Sequence, residues 1–124
     1  MEYYTFYDFE AKPTRSGRYI HFSKTNKLCL SRVSKNIAKE IEQKRLTKCR
    51  VRRDNITGEI CLVFNKDKGA QVSRNTNGIF IRGGEKFYDF FRAMFDIDGQ
   101  DTFNLNLSEN KSNSDEFLTY VVSK

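Results

Sequence analysis

The chain reads as an α+β protein: a single domain over residues 1–124, largely antiparallel, with about seven to nine strands and two helices at about 33–44 and 85–96. Three observations carry that reading. Short runs in which apolar and polar residues alternate recur along most of the chain, as half-buried strands require. Twice the apolar spacing lengthens to that of a helix. The composition is globular, with 11 Phe and 6 Tyr against 7 Gly and 1 Pro, and a chain of 124 residues is long enough for one core.

Taken in order, Glu2 to Ala11 places Tyr3, Thr5, Tyr7 and Phe9 on one parity and Tyr4 and Phe6 on the other, the pattern of a strand buried on most of both faces. Pro13, Ser16 and Gly17 end it. Arg18 to Ser23 and Lys27 to Ser31 are β-rich runs joined by a tight connection at Lys24-Thr25-Asn26. Val33, Ile37 and Ile41 then recur every fourth residue beside Ala38, and Ser31 or Ser34 supplies an N-cap, so a helix is expected with a cationic outer face. Residues 48–65 read as a hairpin: Cys49 and Val51 alternate with Arg50 and Arg52, Asp54 to Gly58 supplies turn chemistry, and Ile60, Leu62 and Phe64 alternate on the return. Strands at about 70–74 and 78–82 flank Asn75-Thr76-Asn77. The second helix carries Phe87, Phe90, Phe91, Met94 and Phe95 as an apolar stripe, with Gly99 just beyond its end. Phe103, Leu105 and Leu107 alternate with Asn104 and Asn106, and Phe117 to Val122 forms a last strand after the polar loop Glu109 to Glu116. The order of strands followed by a helix occurs twice, followed by a final hairpin, although the residues of the two passages do not match.

Several function classes are excluded or weakened. No window approaches the roughly 18 apolar residues of a membrane span, and the N-terminus lacks the cation-then-apolar order of a signal peptide, so a cytoplasmic protein without membrane contact is expected. Cys29, Cys49 and Cys61 form no close pair and read as reduced core thiols, with no metal and no cofactor expected. His21 has no nucleophile beside it. Asp96, Asp98 and Asp101 lack the length and the terminal Glu of a calcium loop, and Gly83-Gly84 reads as a strand-to-helix turn. No catalytic constellation emerges, and a non-enzymatic protein is expected.

What survives is the charge. Residues 12–53 carry 14 Lys and Arg against Glu40 and Glu42, whereas both flanks are net acidic, so one third of the chain holds all of the +6 excess. Lys44, Arg45, Lys48, Arg50, Arg52 and Arg53 precede a single acid, Asp54. Hydroxyl and aromatic residues are interleaved through the same third, including Tyr19 beside Arg18. Cations neutralise phosphates, and an exposed ring offers a platform for a base. The expected site joins Arg50, Arg52 and Arg53 as main backbone contacts with Lys24, Lys27, Arg32, Lys44, Arg45 and Lys48 around them and Tyr19 as the stacking ring, all on one basic sheet.

The order of a strand, the run Lys27-Leu28-Cys29-Leu30-Ser31-Arg32-Val33, a helix and the hairpin from Cys49 to Phe64, with Thr57-Gly58-Glu59 at its turn, resembles the AbrB-type swapped-hairpin regulators over about residues 18–66. That resemblance implies hairpins that interlock between two subunits and arginines presented to DNA. Asn26 and Lys27 stand where that family carries glycine and arginine, and no proline precedes the helix. The strands-then-helix order also resembles, more loosely, the Whirly and coactivator type of single-strand binder. The sequence therefore leads to a small nucleic-acid-binding protein with single-stranded DNA slightly favoured. The alternative is a phage or mobile-element type inhibitor or adaptor that binds a nucleic-acid-processing protein complex. Exposed strand edges in a small sheet protein also admit a homodimer.

Overall fold

A computed structural model describes residues 3–5, 17–26, 28–99, 101–109 and 116–124. The elements in chain order are β1 (Tyr19–Thr25), β2 (Leu28–Val33), α1 (Lys35–Lys44), β3 (Lys48–Arg53), β4 (Ile60–Asn65), β5 (Ala70–Asn75), β6 (Gly78–Ile81), α2 (Gly84–Met94), β7 (Thr102–Glu109) and β8 (Leu118–Ser123). The eight strands, all antiparallel to their neighbours, close into a barrel in the order β1-β2-β6-β5-β3-β4-β8-β7. The expected first strand, Glu2 to Ala11, lies mostly outside the described residues, as do Lys27 and most of the polar loop before β8. Tyr3 and Tyr4 are exposed and belong to no strand, against the expectation of burial on both faces.

Alternation decides which side chains fill the barrel. Ile20 and Phe22 of β1, Leu62 and Phe64 of β4, Leu105 of β7 and Leu118 and Tyr120 of β8 are buried, and on each strand the neighbours of the opposite parity face the outer wall. The helices cover the ends. Ile37 and Ile41 of α1 are buried, and the helix stops at Arg45, which takes a left-handed φ of 55° and donates its N–H to the carbonyls of Glu42 and Ile41. Ser34 is the N-cap, but its hydroxyl accepts from the amide of Tyr19 at 3.3 Å and not from the first turn of the helix; Ser31 is buried inside β2. At the other end α2 brings Phe91 and Tyr88 against Phe22, which also stacks on Phe103 with ring centroids 4.9 Å apart. The buried stripe thus runs through Phe87, Tyr88, Phe91 and Phe95, while Phe90 and Met94 are exposed. Gly83 permits this packing, since a Cβ there would lie 2.3 Å from the Cβ of Phe87.

The two passages of the chain are topologically equivalent. β1-β2-α1-β3-β4 and β5-β6-α2-β7-β8 each read strand, strand, helix, strand, strand, and exchanging them leaves every neighbour pair of the barrel unchanged. Through the first three elements the equivalence is residue by residue: Ile20 with Ala70, Phe22 with Val72, Lys24 with Arg74, Arg32 with Arg82, Ile37 with Phe87, Ile41 with Phe91. Within each half the two hairpins do not pair. β2 meets β6, β3 meets β5, β4 meets β8 and β1 meets β7, so every seam between hairpins joins one half to the other. Two ion pairs cross between the halves in equivalent ways: Lys24 reaches Glu85 of α2 at 3.5 Å and Arg74 reaches Glu42 of α1 at 3.1 Å, whereas Arg18–Glu40 and Arg92–Asp101 stay within one half.

Phe91→Ala empties a fully buried site where four other rings meet it, and is expected to cost about 3 to 5 kcal/mol in denaturant titration; a loss below about 1 kcal/mol would contradict this packing.

Residues 17–65 alone hold two hairpins that share no seam, so the fragment is expected to show no cooperative unfolding as a monomer and to gain it only by pairing with residues 66–124 or with a second copy. Circular dichroism with sedimentation checks this; a monomeric fragment that melts cooperatively would refute the interlock.

Candidate nucleic-acid interface

The outer wall over β2, β6, β5 and β3 is where the cations gather. Arg32 pairs with Phe80, and Phe80 with Ser73, which sets one row across three strands. One step along, the amide of Arg82 donates to the carbonyl of Gln71 at 2.8 Å, Gln71 pairs with Lys48, and Lys48 pairs with Asn65. Cys49 is buried and Ala70, Val72, Ile79 and Ile81 pack on the core, so Lys48, Gln71, Phe80 and Arg82 face outward. Arg50 and Arg52 continue the outward parity of β3. Two strand spacings separate Arg82 from Lys48, roughly 10 Å, and one pleat repeat separates Lys48 from Arg50, roughly 7 Å.

Ion pairing divides the cations by place. Arg18, Lys24, Arg74 and Arg92 each lie within 4 Å of a carboxylate. Arg32, Lys48, Arg50, Arg52 and Arg82 make no ion pair with a described residue. Two of them are held in other ways: Arg82 Nε donates to Ser73 Oγ at 2.7 Å, and Arg52 Nη2 contacts the Cys61 sulfur at 3.7 Å. Three acids, Glu59, Asp67 and Asp54, lie beside the β3 end of the wall, and Glu59 shares the Cys61 sulfur with Arg52, its Oε1 accepting from that thiol at 3.6 Å. Asp67 lies with Arg50, Asn65 and Phe117 around a hollow of about 290 Å³ on the β4 side. Asp54 closes the β3–β4 turn, its carboxyl held below the usual range by the amides of Ile56 and Thr57.

The residues expected to form one site are not all brought together. Arg50, Arg52, Lys48 and Arg32 share the wall. Arg53 does not: it pairs with Ile60 and carries the inward parity of Cys49 and Val51, reaching solvent only because β3 ends there. Tyr19 and Lys24 are on β1, four strands from β3 in either direction around the barrel, so Arg50, Arg52, Tyr19 and Lys24 lie on one closed sheet but not on one wall of it. Tyr19 pairs with Asn106, and Lys24 is held by Glu85 with its ammonium 5.8 Å from the centre of the Tyr88 ring. Lys44 and Arg45 end α1 just before β3. Lys27 lies outside the described residues. Phe80 and Arg82 were not among the expected residues, although the run Ile79-Phe80-Ile81-Arg82 signals them by placing both opposite two isoleucines.

No group of three or more His, Cys, Asp or Glu side chains among the described residues is arranged to hold a metal. His21 faces outward and its Nδ1 bonds Asn104. Cys49 and Cys61 are buried, with burial pushing both thiols up, and Cys29 is half-buried. No described helix is long and apolar enough to cross a membrane. The chain matches no known protein family, no curated protein and no solved structure.

Native-state alkylation followed by mass spectrometry is expected to give one adduct, at Cys29, before any at Cys49 or Cys61. Modification of Cys49 ahead of Cys29 would mean that the interior is open on the β3 side.

Proposed function

We propose that this chain is a non-enzymatic nucleic-acid-binding protein that lays a single strand across the outer wall of β2, β6, β5 and β3. The observation that carries this is the row Arg32, Arg82, Lys48, Arg50 and Arg52, which make no ion pair with a described residue, whereas Arg18, Lys24, Arg74 and Arg92 each lie within 4 Å of a carboxylate. A cation left without a counter-charge on a rigid surface gains most from a phosphate, because binding releases condensed counterions. Guanidinium groups take a phosphate by two parallel hydrogen bonds, which favours arginine for this task. The half-buried Phe80 among them favours an unpaired strand, whose bases are free to stack, over a duplex, whose bases are not. Contacts to the backbone alone would give weak sequence preference.

One observation favours a second reading. β3 pairs with β4 along its whole length but with β5 only at Lys48 and Cys49, so Arg50 to Arg53 form an open strand edge. An acidic extended segment of a nucleic-acid-processing protein would add to that edge with its side chains against the arginines.

Fluorescence polarisation across a salt series separates the two. Lys48→Ala, Arg50→Ala and Arg52→Ala together should weaken binding of a single-stranded oligonucleotide and make the fall of log K with log salt shallower by about 2, since each contact on a single strand contributes about 0.7. Lys86→Ala with Lys124→Ala, exposed and off the wall, should bind as the parent does. An equal loss in that control would reduce the effect to net charge. No binding by the parent at low salt would transfer the wall to the protein-partner reading.

A further inference from the structure

We propose that the cleft between β2 and β6 is a pocket for one unpaired nucleobase and its phosphate, set within the wall that carries the strand; this rests on the nucleic-acid reading above. The ladder between β2 and β6 holds a single registered pair, Arg32 with Phe80, and beyond it the strands border a cleft of about 290 Å³. Leu28 and Leu30 stand on one side of it and Phe80 on the other, with Asn75 and Arg82 around the rim. Leu28 is 61% exposed and Leu30 39%, uncovered apolar surface beside a half-buried ring.

The polar atoms of the cleft select the occupant. The carbonyl oxygen of Asn75 already accepts from the amide of Asn77 at 2.7 Å, which leaves its Nδ2 to donate. Arg82 spends Nε on Ser73, which fixes the guanidinium plane and leaves both Nη groups to donate. No acid is among the described lining residues, although Glu85 and Asp89 of α2 act on Cys29 from the β2 side, which leaves the Arg82 side for the phosphate. A ligand with a flat ring for Phe80 and acceptors for Asn75 and Arg82 is complementary to all of these, and a nucleobase with its phosphate supplies both. The volume is at the low end of ligand pockets, about 300 Å³, and suits one base better than a dinucleotide cofactor. Its place on the wall agrees: Arg32 and Arg82 flank it, and Lys48 follows in the same row as Arg82, so a backbone lying on these cations passes over the cleft.

The test compares a labelled oligonucleotide with a strand of equal length and charge made wholly of abasic residues. The parent should bind the base-bearing strand about 5- to 150-fold more tightly, the range for one aromatic stacking contact. In Phe80→Leu, which keeps the outer face of β6 apolar, this preference should collapse towards one while binding of the abasic strand stays at the parent level. A second readout needs no variant: Cys29 lines the cleft, so the base-bearing strand should slow its alkylation in the parent protein and the abasic strand should not. Equal affinity for the two strands, or equal protection of Cys29 by both, would overturn the pocket and leave the basic wall standing. Binding of neither strand at low salt would overturn the wall and the pocket together. A mononucleotide that protects Cys29 as well as the strand does would assign the cleft to a free nucleotide and overturn its place on a strand.

Discussion

The barrel depends on one constraint: the two hairpins of each half have no seam with each other, and every closure is made with the other half. A hairpin by itself is marginal in water, because two strands bury too little to offset the entropy of ordering them. Here even two hairpins and a helix cover nothing together until the second set arrives. Phe22 of β1 finds its ring partners on α2 and β7, and the hydroxyl of Tyr120 on β8 donates to Glu40 on α1. Such cross-bracing makes stability a property of the whole chain. It also makes the closing contacts long-range, which slows folding relative to a locally connected fold of equal size.

The same constraint sorts the charges. Where a helix of one half lies over the strands of the other, a cation and a carboxylate come from different halves and meet, as Lys24 with Glu85 and Arg74 with Glu42. These are partly exposed pairs and contribute little each, so their main effect is to orient the helices. Lys48, Arg50 and Arg52 of β3 make no ion pair with a described helix residue. The open edge of β3 gives those arginines a further consequence, since charged side chains on an unpaired edge discourage pairing with a second sheet. Protection of the edge and the proposed binding role would therefore place the same demand on Arg50 and Arg52.

Local patterning in the sequence identified all eight strands and both helices, because period-two and period-four patterns are local and survive any tertiary arrangement. It could assign Arg50 and Arg52 to the outside. It could not assign Tyr19 to the opposite wall, because strand order here is decided by pairing between halves, and nothing in a short window encodes which hairpin lies beside which. Arg53 lies off the wall for a smaller reason: a charge run ignores parity, and Arg53 shares that of Cys49 and Val51. Phe90 and Met94 satisfied the helical spacing yet face solvent, since a stripe of five apolar residues is wider than the end of the barrel it covers, and Tyr88 at its centre took the buried place with its hydroxyl donating to the Asp101 carbonyl at 2.8 Å. Arg82 escaped notice because it is isolated in sequence and joins the other cations only across the β6–β5–β3 ladder.

The equivalence of the halves passes through the seam between β2 and β6, where Arg32 lies beside Phe80 and Arg82 falls level with Leu30. A barrel assembled from two identical chains would carry the same side chain at both of these places and would look the same when turned end for end. A single chain is free of that requirement, and here one place holds a phenyl ring and the other a leucine. The wall therefore has a direction. On the proposed nucleic-acid reading, a polymer that runs from a 5′ to a 3′ end would meet a different order of ring and cation according to which way it lies, so a surface without base-specific contacts would still distinguish its two orientations.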